Sequence, residues 1–192
     1  MSEQNRGSRG SRGSRRNPPI IGFAGYSGSG KTTLATEVVA RLERKGLRVA
    51  VAKHDGHGHY KEAEGTDSCA YRAAGAASVT VITAGGLVIY YRKSAPTLED
   101  WVKRMEAEDE PYDLLVVEGF KGSDHPKIAV ARLEEDLAVL DELGPGLLAV
   151  ACSEAVRYRI PAHIRALNVN DPDEVARFVL AAVVPPLDGR LE

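Results

Sequence analysis

A glycine-rich segment near the start of the chain carries the residue types that hold nucleotide phosphates. Residues 25–32 are Gly-Tyr-Ser-Gly-Ser-Gly-Lys-Thr, a complete G-x-x-x-x-G-K-[ST] pattern. Its three glycines permit positive φ angles and leave space for phosphate oxygens to approach successive backbone N–H groups. In this pattern Lys31 supplies a mobile positive charge for the β- and γ-phosphates, and Thr32 supplies a hydroxyl for Mg²⁺. The segment predicts a nucleoside triphosphate site.

Glu118 is the second group that could act on a bound phosphate. It follows Leu-Leu-Val-Val at residues 114–117, a run typical of a strand covered on both faces. Proteins with a phosphate-binding loop place an acid on the Mg²⁺ side at the end of such a strand. We therefore predict that Thr32 and Glu118 hold Mg²⁺, and that Lys31 and Glu118 are the catalytic groups. Lys121 adds positive charge on the same side, or is an ordinary solvated lysine.

Two elements must position the phosphate-binding loop. Residues 20–24 are a short apolar run, which predicts a buried strand directly before the loop. From Lys31 onward aliphatic residues recur every four positions, and Gly46 stands where a helix C-terminus commonly ends. A strand, a glycine loop and a helix N-terminus aimed at an anion together make a phosphate site.

A polar, glycine-rich segment follows the second predicted strand. Residues 53–59 are Lys-His-Asp-Gly-His-Gly-His, and they leave the carboxyl end of that strand, where open α/β sheets bind their ligands. Lys53 and His54 are therefore candidates for a switch segment. The histidines also suggest a metal site, but neither a cysteine nor a carboxylate follows at a recognisable spacing, and loop histidines are usually solvated.

A short helix is predicted after this segment. Thr66 or Asp67 is a suitable N-cap, and the helix would end at Gly75. Within it, Arg72 could reach a phosphate or a partner protein, although such arginines are more often solvated or ion-paired. We retain Asp67 and Arg72 as candidates for a switch or partner contact.

The remaining apolar segments predict an α/β fold. Helices are predicted after Thr97, with an apolar face that suggests core packing, and after Asp171, where Glu174 would complete a capping box. Residues 133–143 could be a helix or an irregular connection. Strands are predicted at residues 20–24, 48–52, 113–118, 127–131 and 146–151, with a hairpin at 78–83 and 87–91. This is the pattern of a three-layer fold of the P-loop NTPase type, with a mostly parallel central sheet and an added β-hairpin at its edge.

Composition indicates one globular domain at residues 18–186, with tails at residues 1–17 and 187–192. The chain has 192 residues, of which 43% are hydrophobic and 27% charged, and a chain of this length can bury a core without disulfides or structural metals. The two cysteines, Cys69 and Cys152, lie far apart in sequence, so we expect reduced thiols in a cytoplasmic protein. No apolar stretch approaches the length of a membrane span.

The first 16 residues differ in composition from the rest of the chain. They carry five arginines and one glutamate, a charge of +4, so the remaining residues carry −6 of the net charge of −2. Arg-Gly-Ser repeats without an apolar run predict a disordered tail, and we expect no signal peptide there. The alternative is transient binding of RNA or an acidic partner through the arginines, although we do not expect nucleic acid to be the main partner.

Several of these motifs together resemble one family, the molybdopterin-guanine dinucleotide biosynthesis protein B (MobB) family. The resemblance spans residues 20–184. It is carried by the phosphate-binding loop through Thr33, the Lys53-His54 pair, residues 65–68 with 72–76, and the run Val-Glu-Gly-Phe-Lys at residues 117–121. The Glu-Gly-Phe-Lys segment is far more specific than the phosphate-binding loop alone.

The resemblance implies a GTP-binding protein with Mg²⁺, weak GTPase activity and a homodimeric state. It also implies an adaptor role beside the guanylyltransferase that attaches GMP to molybdopterin, with molybdopterin or molybdoenzymes as further partners. Carried over position by position, the nucleotide contacts would be Gly25, Ser27, Gly28, Ser29, Gly30, Lys31, Thr32 and Thr33.

The residues themselves leave the base and the reaction open. No asparagine is followed by lysine, so the Asn-Lys-x-Asp motif that selects guanine in many GTPases is missing. The segments after Ala151 and around residues 168–171 are our candidates for base contact. We also find no motif for an arginine finger or a water-positioning glutamine, which predicts slow hydrolysis. The alternatives are a small-molecule kinase, or a GTPase that inserts a metal through His54, His57 and His59.

Overall fold

Six parallel strands form the central sheet of the computed structural model, which describes residues 18–55, 65–92, 97–108 and 111–185. The strands are β1 (Ile20–Ala24), β2 (Val49–Lys53), β5 (Leu114–Glu118), β6 (Lys127–Ala131), β7 (Leu147–Cys152) and β8 (Arg165–Asn168). Across the sheet they follow the order β2-β5-β1-β6-β7-β8. The predicted α/β fold with a mostly parallel sheet is therefore confirmed.

Helices and irregular segments cover both faces of the sheet. Helices α1 (Lys31–Arg44) and α5 (Pro172–Val183) pack on one face. Leu34, Val38 and Leu42 of α1, which recur every four positions, form the buried apolar stripe expected from the sequence. The other face is covered by a 3₁₀ helix (Glu134–Glu142) and by the short α4 (Glu154–Arg157). Most of the segment 133–143 is thus helical, but with 3₁₀ geometry, over residues 134–142.

The alternation of side chains between the two faces of β5 determines the side of the sheet on which Glu118 lies. Leu114 and Val116 belong to the core cluster on the α1 face. Because successive side chains of a strand point to opposite faces, Glu118 has the same orientation as these two residues. Its carboxylate therefore emerges on the side of the sheet where α1 begins.

The β-hairpin is not an edge addition to the central sheet, so that prediction is wrong. Strands β3 (Ser78–Thr83) and β4 (Gly86–Tyr91) form a separate antiparallel sheet of two strands. The hairpin sequence encodes only the pairing of its own two strands, since the turn fixes their register. Which other element it would join is not encoded in that pattern.

Helix caps follow the sequence in most places. Thr66 caps α2 (Asp67–Ala73), and Thr97 with Asp100 forms a capping box on α3 (Leu98–Glu106). Asp171 caps α5 by accepting a hydrogen bond from the N–H of Glu174. The predicted capping box at α5 is wrong, because the Glu174 carboxylate accepts from the N–H of Asn168 instead, at 2.8 Å.

Two further features differ from what the sequence predicts. Strand β8 was not predicted, since four residues are too few to show a period. Of the apolar face predicted on α3, only Leu98 is fully buried. Both cysteines are free, as expected. In the described part of the chain no helix combines the length and hydropathy of a membrane span. The predicted tails at residues 1–17 and 187–192 lie outside the described residues.

Candidate functional site

The phosphate-binding loop connects β1 to α1 at the carboxyl edge of the sheet, between the ends of β5 and β6. Gly28 and Gly30 each have a φ of 84°, a left-handed conformation that side chains with a Cβ rarely adopt. Gly25 is required for a different reason. A Cβ at this position would lie 2.6 Å from Ser29 Oγ and 2.9 Å from the carbonyl oxygen of Val130. The loop backbone is therefore compatible only with glycine at these three positions.

Glu118 and Thr32 meet at the mouth of this loop. The Thr32 hydroxyl donates a hydrogen bond to Glu118 Oε1 at 2.8 Å, and the Lys53 ammonium lies 3.5 Å from the same oxygen. The Glu118 side chain is buried, whereas that of Lys53 is more than half exposed. The register of the sheet explains this grouping, because Glu118 is paired with Phe23 of β1 on one side and with Lys53 of β2 on the other.

These residues face a cleft of about 630 Å³ along the carboxyl edge of the sheet. Lys31 lines it, and its ammonium donates to the carbonyl of Tyr26 at 3.1 Å. Such a bond to a neutral carbonyl leaves the charge of the lysine available to an anion. The other predicted site residues in the cleft wall are Gly25, Ser27, Gly28, Thr32, Lys53, His54, Glu118 and Lys121.

Five predicted residues lie outside the cleft wall. Ser29 is buried under the loop, and its hydroxyl has no hydrogen-bond partner among the described residues. Gly30 is the N-cap of α1, and Thr33 is exposed on its first turn. Asp67 begins α2, and the Arg72 guanidinium lies 5.0 Å from the ring centroid of Tyr90 in the hairpin. The structure thus does not bring Asp67 and Arg72 to the phosphate-binding loop.

Tyr26, Lys121 and Glu142 form a polar cluster beside the cleft. The Lys121 ammonium lies 4.3 Å from the centroid of the Tyr26 ring and 2.9 Å from Glu142 Oε2. The Tyr26 hydroxyl donates a hydrogen bond to the other oxygen of Glu142. This bond raises the pKa of Tyr26, and the donations from Tyr26 and Lys121 lower the pKa of Glu142. Sequence reasoning missed Glu142, which ends the acidic 3₁₀ segment and carries no motif of its own.

The segment after β5 is held against the candidate switch segment. Gly119 has a φ of 89° and Phe120 a φ of 49°, which is unusual for an aromatic residue and is typical of functional loops. The Phe120 ring packs on the ring of His54, with centroids 4.9 Å apart. A Cβ on Gly119 would lie 3.0 Å from the Cβ of His54. Glycine at this position therefore lets the two segments touch.

A fully buried lysine holds the segment that follows β5 in place. Lys127, the first residue of β6, donates from its ammonium to the carbonyls of Lys121, at 2.9 Å, and of Ser123. Burial lowers the pKa of Lys127. This residue ties the loop that carries Lys121 to the central sheet, a role that was not evident from an apolar strand sequence.

Arg132 is a second functional candidate that sequence reasoning missed. It follows β6, and its guanidinium packs against Gly30, where an added Cβ would lie 2.6 Å from Arg132 Nε. The guanidinium also donates to Asn170 Oδ1 at 2.9 Å. The two segments proposed for base contact are neighbours, because Cys152 and Asn168 are paired in adjacent strands. Arg132 joins them to the phosphate-binding loop.

The donor set of the cleft fits a hard divalent cation. Mg²⁺ prefers oxygen ligands and usually keeps bound phosphate and water among them, and a hydroxyl and a carboxylate lie side by side at Thr32 and Glu118. A transition-metal site has less support. The described residues contain no cluster of three or more His, Cys, Asp or Glu side chains that could hold a metal, and His57 and His59 lie outside those residues.

Comparisons of sequence and of structure with known proteins all point to one family. The family model for molybdopterin guanine dinucleotide synthesis protein B matches residues 20–153. The chain is 32% identical over 161 residues to a Haemophilus influenzae protein named molybdopterin-guanine dinucleotide biosynthesis adapter protein, covering 84% of this chain and 87% of that one. It is 30% identical over 170 residues to the Escherichia coli protein of the same name, covering 84% and 91%. Its fold is similar to the crystal structure of Bacillus subtilis MobB, with a TM-score of 0.71 and 27% identity over 88% of this chain and 99% of the other.

Proposed function

The chain belongs to the molybdopterin guanine dinucleotide synthesis protein B family, and from this premise we propose that it is a GTP-binding accessory protein of molybdenum cofactor biosynthesis. In this role it assists the conversion of molybdopterin to molybdopterin guanine dinucleotide, beside the guanylyltransferase that performs the transfer. The observation that carries the proposal is the hydrogen bond of 2.8 Å between Thr32 and Glu118, at the mouth of a loop built to hold phosphates.

The charges in the cleft give each of its residues a proposed role in binding GTP and Mg²⁺. Backbone N–H groups of residues 25–33 and the Lys31 ammonium bind the phosphates, while Thr32 and Glu118 hold Mg²⁺. Mg²⁺ held there would neutralise charge on the phosphates. Glu118 orients a water molecule near the terminal phosphate. Turnover is slow, since the described cations of the cleft wall are the lysines Lys31, Lys53 and Lys121, and none has the fork geometry of an arginine finger.

The proposed signal to the partner runs through the contact between His54 and Phe120. These rings link the segment after β2 to the segment after β5, and both segments line the cleft. A phosphate group bound beside Lys53 and Glu118 adds negative charge at the point where each of these two segments leaves its strand. The surface they present then differs between the GTP and GDP states, which is how nucleotide switches recruit partners.

We further propose that the chain acts in the cytoplasm as a homodimer, with the hairpin as the contact surface. The strand register places Ile82 and Leu87 opposite each other on one face of the hairpin, where they are 81% and 60% exposed. Ile89 and Tyr91 lie on the same face and are also exposed. A contiguous apolar face of this kind is typical of a protein interface.

A binding experiment with nucleotides and the partner enzyme tests the proposal. The wild-type chain is expected to bind GTP and GDP with Mg²⁺ in calorimetry, and to bind the guanylyltransferase more tightly when loaded with a slowly hydrolysed GTP analogue than with GDP. The Lys31→Ala variant should lose nucleotide binding and the nucleotide dependence of partner binding, while its circular dichroism spectrum stays unchanged. A preference for ATP, or partner binding that ignores the nucleotide, contradicts the proposal.

A further inference from the structure

Arg132 carries a positive charge that the phosphate and Mg²⁺ contacts proposed above do not use. It is half-buried at the end of β6, and its guanidinium packs on the backbone of Gly30, the N-cap of α1. Among the described residues its side chain forms no ion pair with a carboxylate, and its acceptor is the neutral amide of Asn170. A half-buried cation next to the positive end of a helix is unfavourable by itself, which points to a ligand.

The position of Arg132 is fixed by three side chains from other parts of the chain. Its backbone N–H donates to the buried carboxylate of Asp136 at 2.8 Å, and its carbonyl accepts from the Ser153 hydroxyl at 2.6 Å. Its guanidinium reaches Asn170, beyond the end of β8. One residue thus connects the carboxyl ends of β6, β7 and β8. This degree of constraint is expected of a preorganised binding group and not of a solvated surface arginine.

The order of the strands gives the direction in which a nucleotide would lie. Glu118 ends β5 on one side of β1, and Arg132 follows β6 on the other side. In the proposed function, Mg²⁺ and the terminal phosphates lie with Glu118 and Thr32. The nucleoside must then extend away from β5, over Gly30 and towards the ends of β6 to β8. The inference that follows therefore rests on the proposed function.

The hydrogen bond from Arg132 determines which group Asn170 offers to a ligand. A guanidinium only donates, so the amide oxygen of Asn170 faces Arg132 and its NH₂ group is directed elsewhere. Asn170 is exposed, and a side-chain NH₂ donates well to a purine whose 6-position and N7 are both acceptors. Guanine and hypoxanthine have this pattern, whereas adenine has an amino donor at position 6.

We propose that Arg132 and Asn170 form the nucleoside subsite, in which Arg132 stacks against the base and orients Asn170 to select 6-oxopurines over 6-aminopurines. This arrangement replaces the Asn-Lys-x-Asp motif that the sequence lacks. Arg132 reaches the base directly through the face of its planar guanidinium. Asn170 reads the base edge, and its orientation depends on Arg132.

Calorimetric titration with GDP, IDP, ADP and pyrophosphate tests this subsite in the full-length protein with Mg²⁺. The wild-type chain should bind GDP and IDP at least about tenfold more tightly than ADP, because a site built around a donor rejects a base that presents a donor. Both Arg132→Ala and Asn170→Ala should weaken GDP and reduce this preference to within about threefold, while pyrophosphate affinity stays unchanged. Arg165→Ala, at the opposite end of β8, is the matched control and should leave all four affinities unchanged.

Several results would overturn the inference. Equal loss of GDP and pyrophosphate affinity in Arg132→Ala would mean that Arg132 supports the loop through Gly30 and does not contact the nucleoside. A wild-type preference for ADP, or a preference for GDP that survives in Asn170→Ala, would also exclude the subsite. If the wild-type chain bound neither nucleotide nor pyrophosphate, the proposed function itself would fail. Pyrophosphate binding without any base preference would overturn this inference alone.

Discussion

The hydroxyl of Thr32 and the carboxylate of Glu118 are 2.8 Å apart although 86 positions separate them in sequence. They meet because β1 and β5 are parallel neighbours, so the residues that follow one strand lie beside the end of the other. Both side chains offer oxygen to a cation, and Glu118 is buried. This pair is the structural basis for expecting Mg²⁺-dependent chemistry at the phosphate-binding loop.

Replacing Glu118 with glutamine should reduce Mg²⁺-dependent GTP hydrolysis by about 100-fold, because the amide cannot orient water as a carboxylate does and holds Mg²⁺ less well. GDP affinity should fall less than the rate of hydrolysis, since the loop N–H groups and Lys31 still bind the phosphates. Single-turnover hydrolysis and calorimetry measure the two effects. Glu135→Gln, exposed in the 3₁₀ helix and not among the residues that line the cleft, is the control. Equal losses in rate and affinity would assign Glu118 a structural role.

Replacing Lys127 with methionine should lower the free energy of unfolding by about 1–2 kcal/mol, because two carbonyls lose their donor while an apolar side chain of similar length remains. The affected carbonyls belong to Lys121 and Ser123 in the loop that lines the cleft. Urea denaturation gives the stability change, and Lys103→Met on the exposed side of α3 is the control. Unchanged stability would show that water serves these carbonyls as well as the lysine does.

The stability of the fold should fall as the pH drops from 6.5 towards 4, owing to His125. Burial, with a smaller effect of the nearby Lys127, lowers the pKa of His125 to about 4, and neither ring nitrogen has a hydrogen-bond partner among the described residues. Between the two pKa values the unfolded chain binds a proton that the folded chain does not, so stability rises with pH in this window. The effect should be on the order of 1 kcal/mol, because the half-buried ring is partly screened by water.

Urea denaturation of the wild type and of His125→Gln at several pH values between 4 and 7 measures this contribution. The variant should lose the part of the pH dependence that His125 provides, since glutamine does not titrate. His163→Gln is the matched control, because His163 is exposed. If the variant and the wild type had parallel pH profiles, the imidazole would be solvated or charged in the native protein.

Placing a charge on the apolar face of the hairpin should dissociate the proposed homodimer. Ile82→Glu is expected to shift the mass measured by light scattering to that of one chain at micromolar concentration, because a charge buried in an interface without a partner is strongly unfavourable. GTP affinity should stay within about twofold of wild type, as the hairpin does not line the cleft. Thr36→Glu, exposed on α1, is the control. A wild-type chain that is already monomeric, or a variant that stays dimeric, would exclude this surface.

Local sequence determined the elements that carry the phosphate chemistry. Three local patterns each encode backbone conformation over a few residues. They are the glycine pattern from Gly25 to Thr32, the apolar run before it, and the apolar residues that recur every four positions after it. The strand, loop and α1 therefore lie where the sequence predicted them. The apolar run ending at Glu118 likewise predicted a buried strand with a carboxylate at its end. Such signals are local, so they can be read without knowing the fold.

The tertiary structure alone decided which distant residues share the site. Arg132 and Glu142 follow no motif, and each reaches the phosphate-binding loop because the strand order places β6, which precedes both residues, next to β1. That order depends on packing between elements far apart in sequence, which no local period encodes. The hairpin is a second example, because its turn fixes the pairing of β3 with β4 but does not determine whether they join the central sheet. Sequence thus specified the phosphate-binding loop, and the arrangement of the strands specified the proposed nucleoside subsite.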